Sequence, residues 1–280
     1  MVQVNRSRRG KRRGKRVIKL VSIPARVLSL PIQNAEQPKV SVIIPVMNER
    51  KSILRVISEC RSVHPDTEVI VVANGSTDGT AELARASGAH VIHYKEPLGH
   101  DVGRSIGAIH AKGEILLFTD GDIVISGKEL RSFVDVIEAG ADIALNKYCG
   151  SVDRPRVHSV VLAKYALNAL LSKPELKGMS MTAIPHAMSR QAAERIGYEH
   201  LTVPPLAQTM AAAHGMNLVP ARLVEVGSSN PRRRKRQKHG LDPLEHLILG
   251  DHVEAISWLL SQKGPRGSYA DESKRRDVVR

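Results

Sequence analysis

Short apolar runs and helical stripes alternate along the first half of the chain. Residues 41–46, SVIIPV, are a short apolar run ended by Pro45, and the polar stretch Met47–Arg50 follows. Ile53, Leu54, Val56 and Ile57 then recur on one face, which predicts a helix. TEVIVVANGSTDGT is rich in β-branched residues and ends in a polar loop, which predicts a strand. DGTAELARASG opens a second helix that Asp78 or Thr80 can cap and Gly88 closes. AHVIHY reads as a third strand, GRSIGAIHAKG as a third helix and EILLFTD as a fourth strand. Strands and helices thus alternate for about 80 residues, which predicts an α/β fold with a mainly parallel central sheet flanked by helices. In such sheets ligands bind beyond the carboxyl ends of the strands. The loops Met47–Arg50, Asn74–Asp78 and Asp120–Asp122 are therefore expected to crowd one rim.

Beyond residue 127 the pattern loosens. GKELRSFVDVIEAG predicts an amphipathic helix, ADIALNKYC a strand and VHSVVLAKYALNALLS a long apolar-striped helix. Residues 181–226 predict short helices and strands, NLVPARLVEV among the strands. LDPLEHLILGDHVEAISWLLSQ predicts a C-terminal helix or helix pair, with Asp251 as a candidate cap and His252 on a packing face.

Charge changes the picture at two places. The 280 residues carry a formal net charge of +14. Ten Lys/Arg and no acid fall within residues 1–26, and six more, again without an acid, within PRRRKRQK at 231–238. The remainder holds 26 basic and 28 acidic residues and is nearly neutral. Residues 1–38 are therefore expected to be a basic, largely disordered arm. Its partners would be anionic: membrane lipid, a polymer or RNA, against the alternative of a solubilising tail with no specific partner. Residues 231–280 divide into a basic loop and C-terminal helices. No run of about 18 apolar residues occurs, so no transmembrane helix is expected. VIKLVSIPARVLSLPI lacks a clean signal-peptide core. Two cysteines make neither a disulfide framework nor a metal knuckle. The expected compartment is the cytoplasm, at the inner face of the membrane if the arm binds lipid.

The candidate chemistry lies in TDGD, where Asp120 and Asp122 stand two apart at the end of an apolar run. Alternate residues of an extended segment point the same way, so both carboxylates can face one ion or one ribose. SVIIPVMNER, EVIVVANGSTDGT and GRSIGAIHAKGEILLFTDGDI, in that order, resemble the nucleotide-sugar half of a family 2 glycosyltransferase with the GT-A fold. The resemblance covers roughly residues 39–125 and makes 39–126 the donor half and 127–230 the acceptor half of one domain. It implies a nucleotide-diphosphate sugar donor, UDP- or GDP-linked, and a divalent ion, Mg²⁺ or Mn²⁺. It places Pro45, Asn48 and Glu49 around the base and ribose, and Asn74, Ser76 and Asp78 at the base edge. It sets Arg104 toward the diphosphate, Asp120 on the ribose or a metal-bound water, and Asp122 on the metal.

Two departures stand out. Relatives carry an acid before GSTD where this chain has Ala73-Asn74. Inverting relatives carry an acidic base in the acceptor half, but no acid occurs between Leu201 and Val219, so no catalytic base is assigned. The late basic segment ending at His239 resembles that of the glucosyl-3-phosphoglycerate synthases. That second resemblance implies His239 as a further metal ligand and a phosphorylated acceptor; a polymeric acceptor is the other expectation. The alternative reading is a catalytically inactive binder of the same fold, tethered to RNA or membrane by its basic arm.

Overall fold

The uninterrupted apolar runs of the first half are strands covered on both faces. The computed structural model describes residues 33–153, 155–226 and 242–278; residues 1–32 of the expected N-terminal arm, the basic segment 231–238 and His239 lie outside them, while Asn34, within the expected arm, is bonded to Val69. Its strands are β1 (Val40–Val46), β2 (Thr67–Asn74), β3 (His90–Tyr94), β4 (Ile115–Phe118), β5 (Ile143–Leu145), β6 (His186–Ser189) and β7 (Leu218–Pro220). They form one sheet in the order β3-β2-β1-β4-β6-β5-β7. The helices are α1 (Ile53–Arg61), α2 (Thr80–Ala86), α3 (Val102–His110), α4 (Gly127–Glu138), α5 (Ser159–Leu170), α6 (Arg190–Ile196), α7 (Pro204–Ala213) and α8 (Pro243–Lys263).

Alternation within β1, β2 and β4 divides the core. Val42, Ile44, Val69, Val71, Ile115 and Leu117 face one side, where α1, α2 and α4 bring Ile57, Ala84 and Phe133. Ile43, Ile70, Val72, Leu116 and Phe118 face the other, against residues of α3, α6 and α7. Strands buried on both faces have no polar side to show, hence the continuous hydrophobic signal. A third cluster joins Leu167 and Leu171, Leu206 and Met210, and Ala255 and Leu259, so α5, α7 and α8 share their own small core.

The parallel register of β1 with β2 and β4 brings three strand ends to one rim, with Val46 opposite Ala73 and Ile43 opposite Phe118. The second half differs from the sequence expectation in three respects. β6, unforeseen in HAMS, runs antiparallel to both β4 and β5. Its residues carry little strand propensity, and the strand exists because it is sandwiched between partners. The strand expected over NLVPARLVEV is assigned only across Leu218–Pro220, on the sheet edge where a proline is tolerated. Finally, Asp251 is no cap. α8 is one 21-residue helix that Asp242 caps, its carboxylate accepting from the Leu244 amide at 3.0 Å with Pro243 in the first turn.

Helix α3 lies unusually close to β1. A Cβ on Gly107 would fall 2.4 Å from Ile43 Cγ2, and one on Gly103 2.9 Å from Pro45 Cβ. Gly107→Ala should therefore destabilise the protein by about 1–3 kcal/mol in urea unfolding, despite alanine's better helix propensity. A neutral or stabilising result would mean that α3 can move off the sheet at no cost.

Candidate functional site

The three rim loops are tied to one another before any ligand arrives. Asn48, with φ +62°, donates its amide to Ser76 Oγ at 3.1 Å, and its Oδ1 accepts from the Thr77 amide at 2.8 Å. Asp78 accepts from the Arg50 amide at 3.1 Å and the Thr80 amide at 3.0 Å, and from the Thr80 hydroxyl. Partial burial opposes its charge, but these hydrogen bonds outweigh it and hold the carboxyl below its usual range. Asn74 uses both ends of its amide on the following loop: Oδ1 accepts from the Leu98 amide, and Nδ2 donates to the Gly99 carbonyl at 2.9 Å. A carboxylate at this position has no donor for Gly99, which gives a physical reason for the asparagine.

The glycine between the two acids is set by crowding. A Cβ on Gly121 would meet Val46 Cγ1 at 2.4 Å, and the Gly121 carbonyl accepts from Ser52 Oγ at 2.6 Å. The turn is thus clamped between β1 and the start of α1, with half-buried Asp120 and Asp122 on either side.

Arg104 is 4% exposed and sits between two carboxylates. Its Nη1 lies 2.6 Å from Asp101 Oδ1 and its Nη2 3.3 Å from Asp120 Oδ1. Burial disfavours its charge, but Asp101 and then Asp120 more than compensate, so the guanidinium stays charged. The Asp101 contact is close but lacks hydrogen-bond alignment, so Nε and Nη1 keep unused donor capacity. His186, on β6, stacks on Phe118 with ring centroids 4.9 Å apart. Burial, then the charge of Arg104, pushes its pKa down to about 3, which makes it a neutral packing residue.

A cleft of about 600 Å³ opens over this floor. It gathers the sequence-predicted Pro45, Glu49, Asn74, Arg104, Asp120 and Asp122. Asn48 borders a shallower recess beside it, shared with Glu49 and Asp122. Ser76 and Asp78 serve as ties between loops and do not line the cleft. His100 and Asp101 at the head of α3, and Asp242, Leu244 and Leu247 of α8, complete the wall without having been foreseen. The Asp-Pro pair at 242–243 is a helix-start signal in the sequence, but nothing local says which cleft it borders.

A second cleft, of about 1240 Å³, lies between the 147–158 segment, α5 and the start of α8. Lys147, Arg156 and Lys164 line it. Burial pushes the Lys164 pKa down to about 8, against the opposing pull of Cys149. Glu245 on the same wall receives the Ser159 hydroxyl and lies 3.6 Å from His158 Nε2. No group of three or more His, Cys, Asp or Glu that could hold a metal occurs among the described residues. No described helix is long and apolar enough to cross a membrane.

A profile of glycosyl transferase family 2 matches residues 41–192. Glycosyltransferase AglE of Haloferax volcanii is 40% identical over 93 residues, 30% of this chain and 31% of that protein. The undecaprenyl-phosphate 4-deoxy-4-formamido-L-arabinose transferase of Edwardsiella ictaluri is 28% identical over 153 residues, 50% of this chain and 46% of that one. The chain spans less than half the length of these curated relatives. Among solved structures, glucosyl-3-phosphoglycerate synthase from Mycobacterium tuberculosis, in complex with Mn²⁺, UDP-glucose and phosphoglyceric acid, superposes with a TM-score of 0.55. It is 21% identical, and the match covers 84% of this chain and 81% of that one.

Asp251, half-buried on α8, supplies a pH test of how that helix packs. Burial, then the like charges of Asp101 and Glu254, push its pKa up to about 6. The folded state therefore holds the proton more tightly than the unfolded chain, and stability falls as pH rises from about 4 to 6. Solvent screens a half-exposed group, so Asp251→Asn should raise the melting temperature at pH 7.5 by only about 2–4 °C. The gain should vanish at pH 4. A gain of equal size at both pH values would exclude the ionisation as its cause.

Proposed function

Because the chain belongs to glycosyl transferase family 2 and has the GT-A fold, we propose that it moves a sugar from a nucleotide-diphosphate donor, UDP- or GDP-linked, to an anionic acceptor. One observation carries this reading: Asp120 and Asp122 flank a turn clamped by Val46 and Ser52, on the floor of the cleft where three strand ends converge. Pro45, Asn48 and Glu49 would hold the base and ribose. Ser76 and Asp78 contribute by fixing the shape of that wall, and Asn74 by holding the 98–99 loop. The charge of Arg104, which lines the cleft, favours a diphosphate at its inner end.

The described residues suit a hard divalent ion. Two carboxylates and few other protein ligands match the habit of Mg²⁺ or Mn²⁺, which are completed by substrate phosphates and water. Asp122 would bind the ion directly, and His239, outside the described residues, would be a further ligand. When bound, such an ion neutralises charge on the departing diphosphate. Arg104 holds Asp120 in place and offsets its charge. The mycobacterial synthase complexes with Mn²⁺ and UDP support this choice by analogy of fold.

The second cleft is the proposed acceptor site. Lys164, its ammonium disfavoured by burial, gains most from an anionic group placed beside it, and Lys147 and Arg156 add to that field. A phosphorylated acceptor fits these cations, and the mycobacterial synthase is found in complex with phosphoglyceric acid.

Calorimetric titration of UDP and GDP, with and without Mn²⁺, tests the donor reading. One nucleotide should bind in a metal-dependent way, Asp122→Ala should abolish that binding, and His239→Ala should weaken it by roughly tenfold or more. Failure of a folded sample to bind either nucleotide would refute the transferase reading.

A further inference from the structure

Glycosyl transfer needs an acceptor hydroxyl to meet the donor's anomeric carbon, so the reaction must occur where the two substrate clefts join. Among the described residues, only Asp242 and Leu244 line both clefts. Leu244 has no polar side-chain atom. Asp242 is half-buried, and its Oδ1 accepts the Leu244 amide at 3.0 Å, which fixes the side chain's orientation. No other described donor reaches the carboxylate, so Oδ2 keeps its accepting capacity at the junction. The neighbouring acid Glu245 is already engaged by Ser159 and His158. The acceptor half offers no acid between Leu201 and Val219 to take the role instead.

From this geometry we infer that Asp242 is the acceptor-orienting residue: its free carboxylate oxygen accepts a hydrogen bond from the attacking hydroxyl at the junction of the clefts. The inference rests on the proposed donor and acceptor assignment. A hydrogen bond to a carboxylate is short and roughly twice as strong as a neutral one, so it holds the hydroxyl in a narrow range of positions. The negative charge also sets the acceptor's polarity. It repels an anionic group from the junction and leaves that group to Lys147, Arg156 and Lys164 along the cleft. The acceptor therefore presents a hydroxyl at one end and an anion at the other.

The cap role of Asp242 makes the test clean. Asn and Ser cap helices about as well as Asp, so Asp242→Asn and Asp242→Ser keep α8 capped while removing the charge. Both variants and the wild type are compared in melting temperature, in Mn²⁺-dependent UDP binding, and in UDP release from UDP-glucose. GDP and GDP-glucose replace these if guanine is the base bound. Release is measured with phosphoglyceric acid and with water alone as acceptor. The inference expects melting within about 2 °C and binding within about threefold of wild type for both variants. It expects release about 100-fold slower, the cost of a misplaced reactant. Wild-type release rates in the variants, or nucleotide binding lost in parallel with rate, would overturn it while leaving the transferase reading intact. A wild type that binds neither nucleotide would refute that reading, and this inference with it.

Discussion

Burial of the Arg104 guanidinium is the constraint around which the rim is built. A charge taken out of water must be paired, and here two carboxylates share it. Asp101 meets it from the turn before α3 and adopts φ +62° to do so. Asp120 meets it from the end of β4, which fixes one face of the paired acids. The glycines of α3 allow the approach, since any larger residue at 103 or 107 collides with Pro45 or Ile43. Remove the pair and three elements lose their common anchor.

The loops beside that anchor are tied to one another, through Ser76 and Asp78, which line neither cleft, and through Asn48, which borders the recess. Asn48 bonds to Ser76 and Thr77 of the next loop, and Asp78 accepts from the Arg50 amide as well as from Thr80. The result is a wall whose shape is set before any ligand arrives, which lowers the ordering cost of binding. Asn74 does the same for the 98–99 loop, and for that job its amide is better suited than an acid.

Helix α8 unites the two clefts. It packs on α5 and α7 through a small core of its own, apart from the sheet. Asp242 and Leu244 in its first turn line both the first cleft and the second. Asp251, further along, feels the charge of Asp101, so the helix and the Arg104 pair sense each other electrostatically. The long segment of chain between β4 and α8 thus returns to the place where the sheet ends.

Much of the first half was legible from residue order alone. Continuous β-branched runs mark strands buried on both faces, because such strands have no solvent side to encode. Helical stripes mark their covers, and parallel connection then forces the polar loops to one rim. Asp120 and Asp122 were readable for the same reason: their position follows from local pattern plus one rule of topology. The second half was less so. HAMS becomes a strand only because β4 and β5 flank it, and NLVPARLVEV pairs briefly because it lies at an edge. Asp242 is a recognisable helix cap in the sequence, yet its place at the junction of two clefts depends on contacts of α8 with α5 and α7, far away in the chain. The family resemblance sets Arg104 toward a diphosphate, but only packing reveals it as buried between two acids. Periodicity records which face of an element is buried; which distant residues meet there is set by tertiary packing.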